Sequence, residues 1–429
     1  MSDQTSKRPF RILSLDGGGT FALIQAKVLA DLYPGQNGHE VLSHFDLVSA
    51  CSGGSIVMAA LVEGYAPAQI VELFDREENR CALFGLLPWY RRLLRVLTSA
   101  VSKEGAVGFR FSTDGKRRFL ERILPRRGRM PLHALQLELG RELAPLRPAG
   151  ARPLSLLVVT YDFDRDRARM LRTDPDSPAA NFPHKLQHAT LIDAAHASST
   201  APIDWFDRPA EFGGRRYWDG AMTGYNNPVL AGVVEALAMG VPRDSIAVLS
   251  IGTSSVFLPE AGTPGVPDGY EQAAQRTGFV PELVKVGKMI IADPPDAHTY
   301  IAHLMTGGSV PQRKEECPFG ETAVIRMNPV IQPVVDPAAA GWGAPQGWTQ
   351  AEFRRLVGLD IATTRQADVE LIKRMCDGWM ADRWHNQPIR SGGSFVPSGA
   401  GPLADAQHLC EIGHHRYGDA RAAWRRLGG

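Results

Sequence analysis

Apolar residues in this chain come in short runs broken by small residues and turns. Phe10 to Leu15 is a strand-length run, and from about Phe21 to Leu32 the pattern changes to helical length. Phe45-Asp46-Leu47-Val48 reads as a short buried strand, and Ile56 to Val62 opens a second helical run. Leu154 to Tyr161 predicts a buried strand that turns through the charged Asp162 to Arg167 into the alternating Ala168 to Arg172. A helix of small residues from Ile192 to Thr200 follows, then a short aromatic strand ending at Asp219. Next come a helix from Val229 to Met239, a buried strand from Ser245 to Ile251 and a shorter one from Thr322 to Met327. The opening order of strand, loop, helix, strand, turn and helix predicts parallel strands with helices on both faces. From Thr349 to Asp382 the pattern is mostly helical, and a Gly-, Pro- and Ser-rich loop runs from Gln387 to Pro402.

The turns hold the candidate chemistry. Asp16-Gly17-Gly18-Gly19-Thr20 joins the first strand to its helix. Three glycines there expose a concave run of backbone N–H groups, a cradle for an anion or oxyanion. Ala50-Cys51-Ser52-Gly53-Gly54 sits between the second strand and its helix, with small residues two before and two after Ser52. That is the nucleophile-elbow arrangement, in which the dipole of the following helix favours charge on the serine oxygen. Ser49-Ala50-Cys51-Ser52-Gly53 places Cys51 at the centre equally well. A plain Gly-rich turn is the third reading of this stretch. Asp219-Gly220-Ala221 is an ordinary turn dipeptide taken alone, and gains meaning only beside the other two.

Two other readings of the glycine loop fit less well. Asp-Gly-Gly-Gly-Thr resembles the first phosphate loop of the sugar-kinase and actin-like ATPase group, but Leu249 to Thr253 lacks the Asp-Gly pair a second loop needs. An α/β-hydrolase has more strands before its elbow.

Composition narrows the class. The chain has 429 residues, 44% hydrophobic and 22% charged, with a net charge of +1. These values describe an ordinary globular chain without a polyanion-binding signature, so no nucleic acid is expected. Five scattered cysteines form no C-x-x-C pair, which predicts a reducing, cytoplasmic setting without a zinc knuckle. Neither a signal-peptide apolar region nor an 18-residue apolar run is visible. Residues 86–103 form a basic amphipathic stretch, with Trp89, Tyr90, Leu93, Leu94 and Leu97 on one face and Arg91, Arg92, Arg95 and Lys103 on the other. Basic residues continue at Arg110, Lys116 to Arg118, Arg122, Arg126, Arg127 and Arg129. The plain reading is a core-packed helix with a solvated arginine face, and the alternative is a lid or a membrane-facing element. His408, Cys410, His414 and His415 match no ligand spacing and read as part of a surface helix.

Taken together and in this order, the three motifs resemble the patatin-like phospholipase family. Its Asp-Gly-Gly-Gly-x-Arg-Gly loop maps to Asp16 to Ala22, its Gly-x-Ser-x-Gly elbow to Ala50 to Gly54, and its Asp-Gly-Ala to Asp219 to Ala221. The Phe45 to Val48 lead-in sets the register at Ser52. Val248 to Thr253 and Asp293 to Leu304 also look like the family. The resemblance implies a three-layer α/β/α sandwich around a mainly parallel sheet over residues 8–335, with a basic insert at 80–130. A largely helical C-terminal extension would occupy 336–429. It also implies lipid acyl hydrolysis by a Ser52–Asp219 dyad without histidine, cofactor or metal. The amides of Gly17, Gly18 and Gly19 would hold the oxyanion, Ala50 and Gly54 would shape the elbow, and a lipid or phospholipid would be the substrate. A Ser–His–Asp triad using His303 is a rival arrangement. Phe21 and Ala22 stand where the family has arginine and glycine, which motivates a second expectation: a degenerate scaffold that binds lipid or a partner without turnover.

Overall fold

A computed structural model describes residues 8–85, 110–174, 188–202, 205–259, 266, 270, 290, 294–309, 322–336, 341–390 and 411–428. The amphipathic stretch at 86–103, Asp293, His408, Cys410 and most of the Gly/Pro/Ser-rich loop lie outside the described residues.

The first nine strands are β1 (Phe10–Leu15), β2 (Leu47–Cys51), β3 (Ser155–Asp162), β4 (Arg167–Arg172), β5 (Ala210–Phe212), β6 (Arg215–Asp219), β7 (Ile246–Ile251), the two-residue β8 (Ser255–Val256) and β9 (Val324–Met327), and five short ones of two or three residues follow. Eight of them form one sheet in the order β5-β6-β3-β2-β1-β7-β9, with β4 on the other edge of β3. β3, β2, β1, β7 and β9 pair in parallel; β4, β5 and β6 are antiparallel additions.

Alternation along the central strands builds two cores. Leu13 and Leu15 of β1, Val48 and Ala50 of β2, Leu156 and Val158 of β3, and Leu249 and Ile251 of β7 face one apolar cluster. Ile12, Leu47, Leu157, Val159 and Val248 face the other. Strands apolar on both faces must be covered on both, which produces the expected α/β/α sandwich. One layer includes α1 (Leu23–Leu32) and α3 (Ser52–Glu63); between them α2 (Gly38–Ser43) leads into β2. All twelve residues of α3 are buried, and Gly64 ends it in the left-handed conformation at φ 108°. The helix Val229–Ala238 covers the opposite face.

The expected helical run from Thr349 to Asp382 is two helices, Gln350–Val357 and Gln366–Met380, joined by a loop. They share the larger core with Tyr417–Arg426, so packing continues straight across residue 335. His414 and His415, expected on a surface helix, lie between the short strand Glu411–Ile412 and the last helix, which buries Tyr417, Ala420 and Trp424 at helical spacing. The Trp424 ring stacks on Phe45 with centroids 5.9 Å apart, and its Nε1 donates to the Tyr33 hydroxyl at 2.9 Å. Among the described residues no helix is long and apolar enough to cross a membrane.

Candidate active site

Sheet register explains how two distant motifs meet. β2 runs along β3 from Leu47 opposite Ser155 to Cys51 opposite Val159. β6 runs the other way along the same strand and ends with Asp219 opposite Thr160. The two strands therefore finish head to head on neighbouring β3 residues. Ser52 follows one end and Asp219 forms the other. Gly220 permits this closeness: a Cβ there would lie 2.3 Å from Val159 O and 3.1 Å from Cys51 Sγ.

Ser52 opens α3 with φ at 47°, a left-handed conformation that a serine adopts at a cost of about 1–3 kcal/mol. The neighbours hold it there. Ser52 N–H donates to Ser198 Oγ at 2.8 Å, and Ser198 passes its own hydrogen to Val159 O at 2.6 Å. Ser55 Oγ donates to Ser52 O at 2.6 Å. A Cβ at Gly54 would meet Leu15 O at 2.4 Å, so only glycine lets α3 approach β1 this closely. Ala50 is fully buried in the strand, where its methyl group fits the core.

The Ser52 hydroxyl donates to Asp219 Oδ2 at 2.7 Å, and Ala221 N–H donates to Oδ1 at 2.9 Å. Burial pushes the Asp219 pKa up to about 6, against the opposing pull of the Ser52 and Ala221 hydrogen bonds and the charge of Lys116. Cys51, the other centre the sequence allowed, is fully buried in β2. Burial and the nearby Asp219 hold its thiol well above the usual range, so it is protonated and a poor nucleophile. The histidine of the rival triad is engaged elsewhere: His303 Nδ1 contacts Thr322 Oγ1 at 2.9 Å and Nε2 contacts Ser309 O at 3.1 Å.

The glycine loop lies against the serine, and its three residues do different jobs. A Cβ at Gly17 would be 2.8 Å from Ser52 Cβ, but the Gly17 amide is committed to Asn226 O at 2.9 Å. Of the three amides expected to face an oxyanion, that one is already used. Among the described residues the amides of Gly18 and Gly19 have no hydrogen-bond acceptor. Gly53, in the first turn of α3, packs against Gly19 so tightly that a Cβ on it would lie 2.9 Å from Gly19 N. Gly19, Ser52, Gly53 and Asp219 line one cavity, with Ile56 and Trp205 among its apolar walls.

Sequence reasoning missed the residues that brace this loop. Arg326 of β9 holds Asp16 with two hydrogen bonds, at 3.0 and 2.6 Å, and both side chains are buried. Thr253 Oγ1 donates to Gly17 O at 2.6 Å, and Gln25 Nε2 donates to Asp16 O at 2.8 Å. The C-terminal extension contributes too: Ile361 O accepts Thr20 N–H at 2.8 Å, and Thr363 O accepts the Thr20 hydroxyl at 2.8 Å. Phe21 and Ala22, the two departures from the family motif, are both buried in the larger core.

Two of the basic residues that follow the 86–103 stretch are buried. Lys116, on the helix Thr113–Ile123, is buried in the cavity wall. Arg127 is equally buried; its guanidinium pairs with Glu142 at 2.5 Å and its amide donates to Glu63 at 2.9 Å.

Residues 13–233, just over half of the chain, match the model of the patatin-like phospholipase family. The chain belongs to that family. A cGAMP-activated phospholipase from Pseudomonas aeruginosa (strain BWHPSA011 / Pa011) is 26% identical over 263 residues, which are 61% of this chain and 67% of the relative. Among solved structures, VipD from Legionella pneumophila is 10% identical with a TM-score of 0.35, covering 87% of this patatin-like chain and 67% of VipD. ExoU from Pseudomonas aeruginosa, solved with SpcU, is 18% identical with a TM-score of 0.22, covering 46% of this chain and 39% of ExoU.

Proposed function

We propose that this patatin-like protein is a serine lipid acyl hydrolase that cleaves acyl esters of phospholipids or related lipids through a Ser52–Asp219 dyad. The observation that carries the reading is the 2.7 Å hydrogen bond from the Ser52 hydroxyl to a buried carboxylate at the strained head of α3. Ser52 Oγ attacks the acyl carbonyl carbon while its proton passes to Asp219 Oδ2. The carbonyl oxygen becomes an oxyanion facing the amides of Gly18, Gly19 and Gly53 at the positive end of α3. Collapse expels the alcohol, which takes the proton from Asp219, and leaves an acyl ester on Ser52. Asp219 then takes a proton from water, which attacks that ester, and the fatty acid leaves as the proton returns to Ser52.

An aspartate near its ordinary pKa is a weak base for a hydroxyl. Burial raises Asp219 to about 6, a stronger base that is still mostly ionised at neutral pH. The apolar cavity walls suit an acyl chain, and the relative named a phospholipase supports a lipid substrate. The rival reading, a scaffold without turnover, was motivated by Phe21 and Ala22. Their burial in the core supports treating both as packing positions. Contact between the 86–103 stretch and a membrane surface remains part of the proposal, on its sequence pattern alone.

A panel of phospholipids, lysophospholipids and neutral acyl esters, run on wild type and Ser52→Ala, tests the function. A fluorophosphonate probe run in parallel should label wild type at Ser52 and leave Ser52→Ala unlabelled. A wild type that neither hydrolyses any ester nor takes the probe would establish the scaffold reading instead.

A further inference from the structure

Lys116 lies outside all three motifs, yet it lines the same cavity as Ser52 and Asp219 and is 1% exposed. Its Nζ contacts His196 O at 3.0 Å, Ser199 Oγ at 3.2 Å and Thr200 Oγ1 at 2.5 Å. The hydrogens of both hydroxyls are already placed. Ser199 Oγ donates to Ala195 O at 2.7 Å, and Thr200 Oγ1 donates to His196 O at 2.5 Å. Each hydroxyl has a single hydrogen, so toward Nζ it can only accept. The carbonyl can only accept as well. Three acceptors around one nitrogen require three N–H bonds, which an ammonium has and a neutral amine does not. The face of Phe206, 4.2 Å from Nζ, gives the cation a further favourable neighbour.

Among the described residues, Asp219 is the carboxylate whose charge acts on this ammonium. On its own helix Asp114 pairs with Arg208, and Arg117 pairs with Glu121 and with Asp193 of the helix Leu191–Ser198. Asp207 accepts the Thr113 amide. His196 is held neutral by burial beside Lys116. On the neighbouring helix Glu77–Leu83, Glu77 accepts the Gln366 amide, Arg80 reaches Thr364 O, and Glu78 and Cys81 complete its titratable groups. At the glycine loop Asp16 is matched by Arg326, and Cys51 is a protonated thiol. Asp219 remains, and its own amide donates to Thr200 O at 2.8 Å, next to the hydroxyl that Lys116 grips.

We infer that Lys116 is a positioning residue of the dyad: its buried ammonium holds Asp219 as a carboxylate and fixes the 196–200 turn against it. The inference rests on the dyad reading above. Burial pulls the lysine's own pKa well below its usual value and Asp219 offsets only part of that fall, so it is the three acceptors and the Phe206 face that argue for the ammonium.

The test is the pH dependence of kcat/KM on a soluble acyl ester for wild type, Lys116→Met and Lys116→Arg. Losing one facing positive charge should move the acid inflection of Lys116→Met upward by about one pH unit or more, while Lys116→Arg keeps the wild-type inflection. Rates divided by the folded fraction at each pH, read by circular dichroism, keep the inflection interpretable for a poorly folding variant. A Lys116→Met inflection unchanged from wild type overturns the inference. Side-chain ¹⁵N spectra of wild type give a second reading that needs no folded neutral variant. A lysine ammonium signal that is absent from Lys116→Arg and present at pH 7 supports the inference; a neutral amine at that pH overturns it. If wild type neither turns over ester nor takes a fluorophosphonate, the dyad reading has failed, and the spectra still decide the charge of Lys116.

Discussion

Replacing Asp219 by asparagine should abolish turnover and at the same time stabilise the fold at neutral pH. Burial raises the folded-state pKa of Asp219 from 3.8 to about 6. A carboxyl whose folded pKa lies above its unfolded value binds more protons folded than unfolded between the two. Stability therefore falls as pH rises through the window from about 3.8 to about 6, and stays lower above it. That interval corresponds to about 3 kcal/mol, the cost of holding the ionised carboxylate in its cavity. The pull of Lys116 is already contained in this figure. Asparagine keeps an oxygen for the Ala221 amide and carries no charge. Denaturant unfolding, followed by tryptophan fluorescence, should show Asp219→Asn more stable than wild type by up to about 3 kcal/mol at pH 8. The difference should shrink to about half a kcal/mol at pH 4. A variant equally or less stable than wild type at pH 8, with the difference unchanged at pH 4, would refute the claim that the site stores the cost of a buried base.

Three further outcomes follow from the geometry. Wild-type kcat/KM on an acyl ester should lose activity as pH falls through about 6, because protonated Asp219 cannot take the Ser52 proton; a profile flat down to pH 4.5 would contradict this. Cys51→Ala should keep activity within about threefold and lose about 1 kcal/mol of stability, while Ser52→Ala loses at least about a thousandfold in rate with its circular dichroism intact. Arg326→Met leaves the Asp16 carboxylate buried without its partner and should cost about 3–5 kcal/mol in denaturant unfolding, with activity falling as the glycine loop loosens.

Much of the site was legible along the chain because each motif is local. The Asp16 to Thr20 loop, the Ala50 to Gly54 elbow and the Asp219-Gly220 turn each sit where a strand ends, and strands ending in small residues show directly in the pattern. Two departures were read as chemical doubts, and the structure buries both. Phe21 and Ala22 point into the core, where side-chain volume decides what fits. The basic residues from 110 to 129 divide between buried and exposed in a way their spacing does not show. A lysine or arginine every few residues looks like a solvated face, and nothing local distinguishes Lys116 or Arg127 from Arg129. Their burial depends on which side of the helix Thr113–Ile123 and the turn after it meets the helix Leu191–Ser198 and Glu63.

The sequence by itself determined the class of the fold, because apolar strands followed by glycine turns and amphipathic helices leave few ways to cover both faces of a sheet. It also determined which three segments carry the candidate chemistry. Tertiary structure decided which atoms meet. Ser52 and Asp219 are 167 residues apart and touch only because β2 and β6 finish on adjacent residues of β3. Asp16 meets Arg326 across 310 residues, and Thr20 meets Ile361 from the C-terminal extension. Cys51 and Ser52 likewise differ in depth, since one residue of progress along the elbow carries the chain from a strand buried in the sheet to a helix terminus lining a cavity. Desolvation and hydrogen-bond saturation depend on everything packed around a group, and the charges of Asp219 and Lys116 depend on both.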